Sequence, residues 1–209
     1  GNYVSGAYLR GKGKSYYNLY LFDYAGINPE NGQELFWKDV KDAEGNVVGR
    51  ETTEVYAEAT QYEFGDALPD LVGGIRTSFQ WKNLDFSMVM NANVGNKILN
   101  AKRMNKTVFA DGNYDLDFYE NCWTPDRTDT RYPSPAAMQK TSTLCCNDFF
   151  VEDASMFRIQ NIQVGYTFRE VFGKGSIRLY ATAQRPLSLF GYNGFTTEIG
   201  GSPIESGVD

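Results

Sequence analysis

Carboxylates, thiols and flat aromatic rings are the groups in this sequence that could do chemistry, and their spacing limits what that chemistry is. Asp111, Asn113, Asp115 and Asp117 alternate as at the start of a calcium loop. Leu116 stands where such a loop needs its glycine, however, and Cys122 where it needs a bidentate glutamate. Gly11-Lys12-Gly13-Lys14-Ser15 has the letters of a phosphate-binding loop without its spacing. We therefore expect no metal and no cofactor. Histidine is absent, which removes every Ser-His-Asp, Cys-His and His-ligated zinc scheme. Asp and Glu together number 26, but nothing in their order singles out an acid–base pair, and no enzyme is expected. The three cysteines, Cys122, Cys145 and Cys146, cannot all pair; Cys122 could bridge to one of the others, and free thiols in a loop are the simpler reading. Tyr114, Phe118, Tyr119, Trp123 and Tyr132 are candidates of another kind. Flat rings with a polar edge suit stacking on sugars, although loop aromatics also pack a loop's own small core.

The elements that must position these groups are strands. The 209 residues are 15% aromatic with 21 glycines, a composition that favours β-structure. The net charge of −6 argues against nucleic acid, and no Lys/Arg run marks an anionic membrane surface. No apolar stretch is long enough for a transmembrane helix, which leaves a membrane β-barrel open. Strand candidates are 16–24, 34–40, 49–57, 71–81, 84–94, 156–168 and 176–184. The clearest are 71–81 and 84–94, which alternate apolar and polar residues about the tight connection Lys82-Asn83. Each has 11 residues, against the roughly 9–11 that a tilted strand needs to cross a bilayer. In 156–168 the apolar parity changes between Ile159 and Ile162, which predicts a bulge near Gln160. Short turns alternate with long excursions over 25–70, 95–154 and 185–209. That asymmetry suits a barrel with short turns on one side; a soluble β-sandwich is the alternative, and pattern alone leaves both open.

Five segments, in order, resemble the C-terminal part of a SusC/RagA-type TonB-dependent outer-membrane transporter. They are Tyr24-Ala25-Gly26-Ile27-Asn28-Pro29-Glu30-Asn31-Gly32; Gly65-Asp66-Ala67-Leu68-Pro69-Asp70 with Gly73-Gly74; Trp123-Thr124-Pro125 with Pro133; Ala154 through Phe168; and Leu179 through Gly194. Gln184-Arg185-Pro186 and Thr196-Thr197-Glu198 depart from the family pattern. The resemblance implies one portion of a barrel domain over 1–209, incomplete as it stands, with the plug domain and the closing strand lying outside it. It also implies import of oligosaccharides, or of peptides, by the whole protein. That protein would sit in the bacterial outer membrane with its loops extracellular, driven by TonB and lidded by a SusD-like surface lipoprotein.

On the barrel reading, Ile75, Phe79, Trp81, Leu84, Phe86, Met88, Met90, Ile177 and Leu179 face lipid. Arg76, Ser78, Gln80, Asp85, Asn91, Arg178 and Tyr180 face the lumen. Trp81 would sit in an aromatic girdle, and the aromatic loop would form a ligand wall. The rival is a soluble, secreted β-sandwich that binds carbohydrate, which requires the Ile75/Phe79/Phe86/Met88 face to be covered by a second sheet.

Overall fold

The computed structural model describes residues 1–100, 103, 116–138 and 147–194. It is mainly antiparallel β-structure, and it divides into two compact units. One comprises Gly1–Ala67, Lys97–Glu152 and Asn193 onward; the other comprises Leu68–Asn96 and Asp153–Tyr192.

The first unit holds the short strands. They are β1 (Tyr3–Ser5), β2 (Tyr8–Arg10), β3 (Asn18–Phe22), β4 (Tyr24–Ile27), β5 (Glu34–Lys41), β6 (Val47–Thr53) and β7 (Gln61–Asp66). They form a β1-β2-β3-β7 sheet and a β4-β5-β6 sheet. The aromatic run 16–24 is thus divided between two sheets. The break falls at Asp23, whose carboxylate is drawn to the Arg50 guanidinium. The segment 49–57 ends its strand at Thr53 and closes in a 3-10 turn, Tyr56–Glu58, while Gln61–Asp66 pairs with β3. Among the described residues of the stretch 95–154 lie two helices, α1 (Leu116–Asn121) and α2 (Pro135–Met138). The core of this unit gathers Tyr8, Leu19, Leu21, Leu99, Phe118, Cys122, Tyr132 and Phe150. Rings supply half of these residues and leucines most of the rest.

The second unit is one sheet. Its strands are β8 (Leu71–Trp81) and β9 (Leu84–Val94), and then, after β10 (Lys97–Leu99) and β11 (Val151–Asp153) of the chain's middle, β12 (Met156–Val171) and β13 (Gly175–Phe190). The order is β13-β12-β9-β8 and all pairings are antiparallel. Lys82, at φ +54, makes the two-residue turn between Trp81 and Leu84. The register shifts between Ile159 and Asn161 on β12, so Gln160 is the bulged residue. On β13 the same shift skips Arg185 and Pro186. A bulge tolerates a proline because no ladder N–H is needed there, which accounts for Gln184-Arg185-Pro186. The bulge also corrects the parity, so that Phe157 and Ile159 share a face with Ile162, Val164 and Tyr166.

Among the described residues, no helix is long and apolar enough to cross a membrane.

Candidate functional site

Residues opposite one another in an antiparallel ladder point to the same face, so the register assigns every side chain of the sheet. Ile75 pairs with Met90, Phe79 with Phe86 and Trp81 with Leu84. Ile162 pairs with Met88, Val164 with Phe86 and Tyr166 with Leu84. Tyr166 pairs in turn with Leu179, and Phe168 with Ile177. All nine residues expected on the apolar side therefore share one face, and β12 fills its middle. That face is bare: Ile75 is 63% exposed, Phe79 58% and Leu179 61%. No second sheet covers it among the described residues, so the covered face that a β-sandwich requires is not found here.

The opposite face carries Arg76, Ser78, Gln80, Asp85, Ser87 and Asn91, joined by Arg158, Asn161, Gln163, Arg178 and Tyr180. Val89, an apolar residue out of step in the sequence, lies on this polar side opposite Arg76. Arg158 is buried and its Nε donates to Ser188 Oγ at 3.0 Å. Arg178 on β13 forms a two-point ion pair with Asp85 on β9, reaching over β12 at Gly165. A Cβ at Gly165 would lie 2.6 Å from both Arg178 Nη2 and Asp85 Oδ2. The sequence pattern did not reveal this role; its trace is a glycine in mid-strand with opposite charges beside it on the neighbouring strands.

The aromatic loop candidates separate into two kinds. Phe118 and Tyr132 are 1% and 2% exposed and form the loop's own core, with ring centroids 5.4 Å apart. Tyr119 is 70% exposed at the mouth of a recess of about 610 Å³, which Phe118, Cys122, Thr124, Arg127 and Pro135 help to line. Trp123 is half-buried. Tyr114 lies outside the described residues, as do Cys145 and Cys146.

A polar network runs through this core. The Tyr132 hydroxyl donates to Asp117 Oδ2 at 2.5 Å and accepts from Arg103 Nη2 at 3.4 Å. Arg103 also pairs with Glu152 at 3.2 Å, both side chains being nearly buried. Glu152 in turn accepts from Asn193 N–H and Asn100 Nδ2. The Tyr132 hydrogen bond holds the Asp117 carboxyl below the usual carboxylate range, and burial pushes the Tyr132 phenol up. Asp117 Oδ1 is bonded to Asn121 Nδ2, so both oxygens are already engaged within the loop. Among the described residues no cluster of three acidic or thiol groups is placed to hold a metal.

No family model matches the chain. Individual proteins do. It is 33% identical over 138 residues to TonB-dependent receptor P3 of Formosa agariphila, covering 64% of this chain and 13% of that protein. It is 26% identical over 184 residues to TonB-dependent receptor SusC of Bacteroides thetaiotaomicron, covering 85% of this chain and 17% of that one. Among solved structures, the RagAB peptide transporter superposes with a TM-score of 0.71 at 26% identity, over 88% of this chain and 20% of that chain. In sequence and in fold the chain is similar to TonB-dependent receptors of the SusC/RagA type. It spans a fifth or less of the length of these relatives.

Two of the segments that resemble SusC/RagA-type sequences meet in the structure. The Trp123 ring lies against Gly32, and its Nε1 donates to Pro29 O at 3.1 Å. Ser134 N–H donates to Gly32 O at 2.9 Å. Gly32 has φ +72, and an added Cβ would come within 2.5 Å of the indole, so the position requires glycine on both counts. Asn28 and Asn31 both donate to Glu54 Oε1, at 2.5 and 2.9 Å, which lowers the Glu54 pKa and ties the same loop to the end of β6.

Proposed function

We propose that the chain is a stretch of barrel wall from a TonB-dependent outer-membrane transporter that imports oligosaccharides or similar nutrient oligomers. The apolar face of the β13-β12-β9-β8 sheet meets lipid and its polar face lines the lumen. The turn at Lys82-Asn83 and that between β12 and β13 are periplasmic, and the loops of the first unit are extracellular. A SusD-like surface lipoprotein lids those loops, and TonB acts through parts of the protein beyond these residues. Tyr119 and Trp123 are the rings that contact cargo, and no residue here is assigned a catalytic step.

One observation carries this reading: an apolar face that runs unbroken across all four strands and is left bare. A water-facing sheet would bury that surface, whereas a bilayer accepts it. The solved relative named a peptide transporter supports a peptide as the second class of cargo. The test is fractionation of the source cells together with deletion of the parent gene. The parent protein is expected in the outer membrane, and the deletion is expected to abolish growth on one class of oligomer while sparing its monomer. Recovery in a soluble fraction would sink the barrel reading; unimpaired growth on every oligosaccharide and peptide would sink the cargo assignment.

A further inference from the structure

The turn between β12 and β13 carries a side chain that the barrel wall does not use. Phe172 is 99% exposed. It sits at φ +53, with Glu170 at +57 and Gly173 at +75. A bulky residue seldom adopts that conformation and keeps it where the surroundings impose it. Gly173 N–H donates to Glu170 O at 3.2 Å and closes the turn. The backbone is thus bent so as to hold an aromatic ring in the open at the tip of the hairpin.

The surroundings say what the ring is held towards. The apolar face continues past Trp81, Leu84, Tyr166 and Leu179 to one further pair, Phe168 and Ile177. The rings of Tyr166 and Phe168 meet edge to face, 4.8 Å between centroids. Charges then gather, with cations in excess: Arg169, Glu170 and Lys174 are exposed on the turn, and Lys82 lies 5.0 Å from the Trp81 ring centre. Aromatic rings followed by basic residues at the end of an apolar band match the boundary between acyl chains and anionic headgroups. β12 and β13 run on beyond the neighbouring Lys82-Asn83 turn. Barrel strands tilt by about 35–45°, and such a stagger lets turns on successive hairpins reach one depth.

We propose that Phe172 is an interfacial anchor, inserted among the lipid headgroups of the leaflet on the short-turn side, with Arg169 and Lys174 against lipid phosphates. A protein partner would call for a contiguous apolar patch around the ring, and here charged residues flank it. The proposal rests on the barrel reading above.

The test uses the full-length parent protein reconstituted in phosphatidylethanolamine–phosphatidylglycerol vesicles, a fraction of whose acyl chains are brominated near the glycerol. F172W is compared with the wild type, and W81F serves as the control for Trp81. The emission added by F172W is expected to be blue-shifted and quenched by brominated lipid, and the quenching is expected to weaken when K174E is added. Added emission at the water-exposed limit, unaffected by brominated lipid, would overturn the anchor. If Trp81 is quenched and the F172W emission is not, the anchor alone fails. If neither is quenched, the barrel reading fails with it.

Discussion

Arg178 and Asp85 sit on strands that are not neighbours, and they meet because the strand between them presents Gly165. Arg178 Nε donates to Asp85 Oδ1 at 3.1 Å and Nη2 to Oδ2 at 2.5 Å, directly over the glycine. The pair ties β9 to β13 across β12, so the polar face is cross-linked at a point where the opposite face is wholly apolar.

Gly165→Val tests that link through its sign. Valine suits a strand better than glycine, so a merely vacant site would make the variant more stable. The reverse is expected, because the new methyl groups must push the guanidinium and the carboxylate apart. The variant should also depend less on salt, since the wild-type pair is screened by added ions. Thermal unfolding of the parent protein at low and high salt reads both effects.

Gly32→Ala should undock the Trp123 loop. The left-handed backbone and the indole contact act together, and strain of this kind costs about 1–3 kcal/mol. Trp123 fluorescence should shift to the red, and proteolysis between 121 and 134 should accelerate. Unchanged emission and cleavage would show that the Gly32–Trp123 contact does not hold the loop.

The aromatic loop separates stability from binding. Phe118→Ala removes a buried ring and should cost about 3–5 kcal/mol. Tyr119→Ala removes an exposed one and should leave the melting temperature unchanged while weakening cargo binding several-fold. Calorimetric titration with the cargo class found in growth tests checks the second effect, and equal melting losses in both variants would refute the distinction.

Asp148 gives a pH signature. Burial, aided by the nearby Asp23 charge, raises its pKa despite the 2.7 Å hydrogen bond from Tyr24 N–H. A carboxyl raised on folding contributes stability below its unfolded pKa and loses it as pH rises through the folded value. Asp148→Asn keeps an acceptor oxygen for Tyr24 and removes the buried charge. It should therefore stabilise the protein at neutral pH, with the gain vanishing near about pH 4. Denaturant midpoints at the two pH values measure it, and a loss of stability at neutral pH would contradict it.

The sheet was legible because a strand with two unlike faces writes them into the sequence with period two. Ile75, Phe79 and Trp81 against Arg76, Ser78 and Gln80 are enough to read β8. The parity change between Ile159 and Ile162 marks the Gln160 bulge for the same reason. The first unit was harder to read. Its strands are short, and tertiary pairing decides them, as where Gln61–Asp66 joins β3. In the loop, composition shows rings but not which way they turn. Phe118 and Tyr119 are adjacent, yet one is core and the other exposed, because the one-turn helix Leu116–Asn121 points them in different directions. Gly165 carries no such signal in the sequence, since its function depends on Asp85 and Arg178 meeting over it.

The central claim is that one face of this sheet meets lipid and the other does not. The most direct measurement is a nitroxide scan of positions 75–80 in the parent protein in its bilayer, comparing relaxation by oxygen with relaxation by a water-soluble nickel chelate. Alternation with period two is expected, with oxygen favoured at positions 75, 77 and 79 and the chelate at 76, 78 and 80. Equal accessibility at neighbouring positions, or a face at 75, 77 and 79 closed to both reagents, would contradict it.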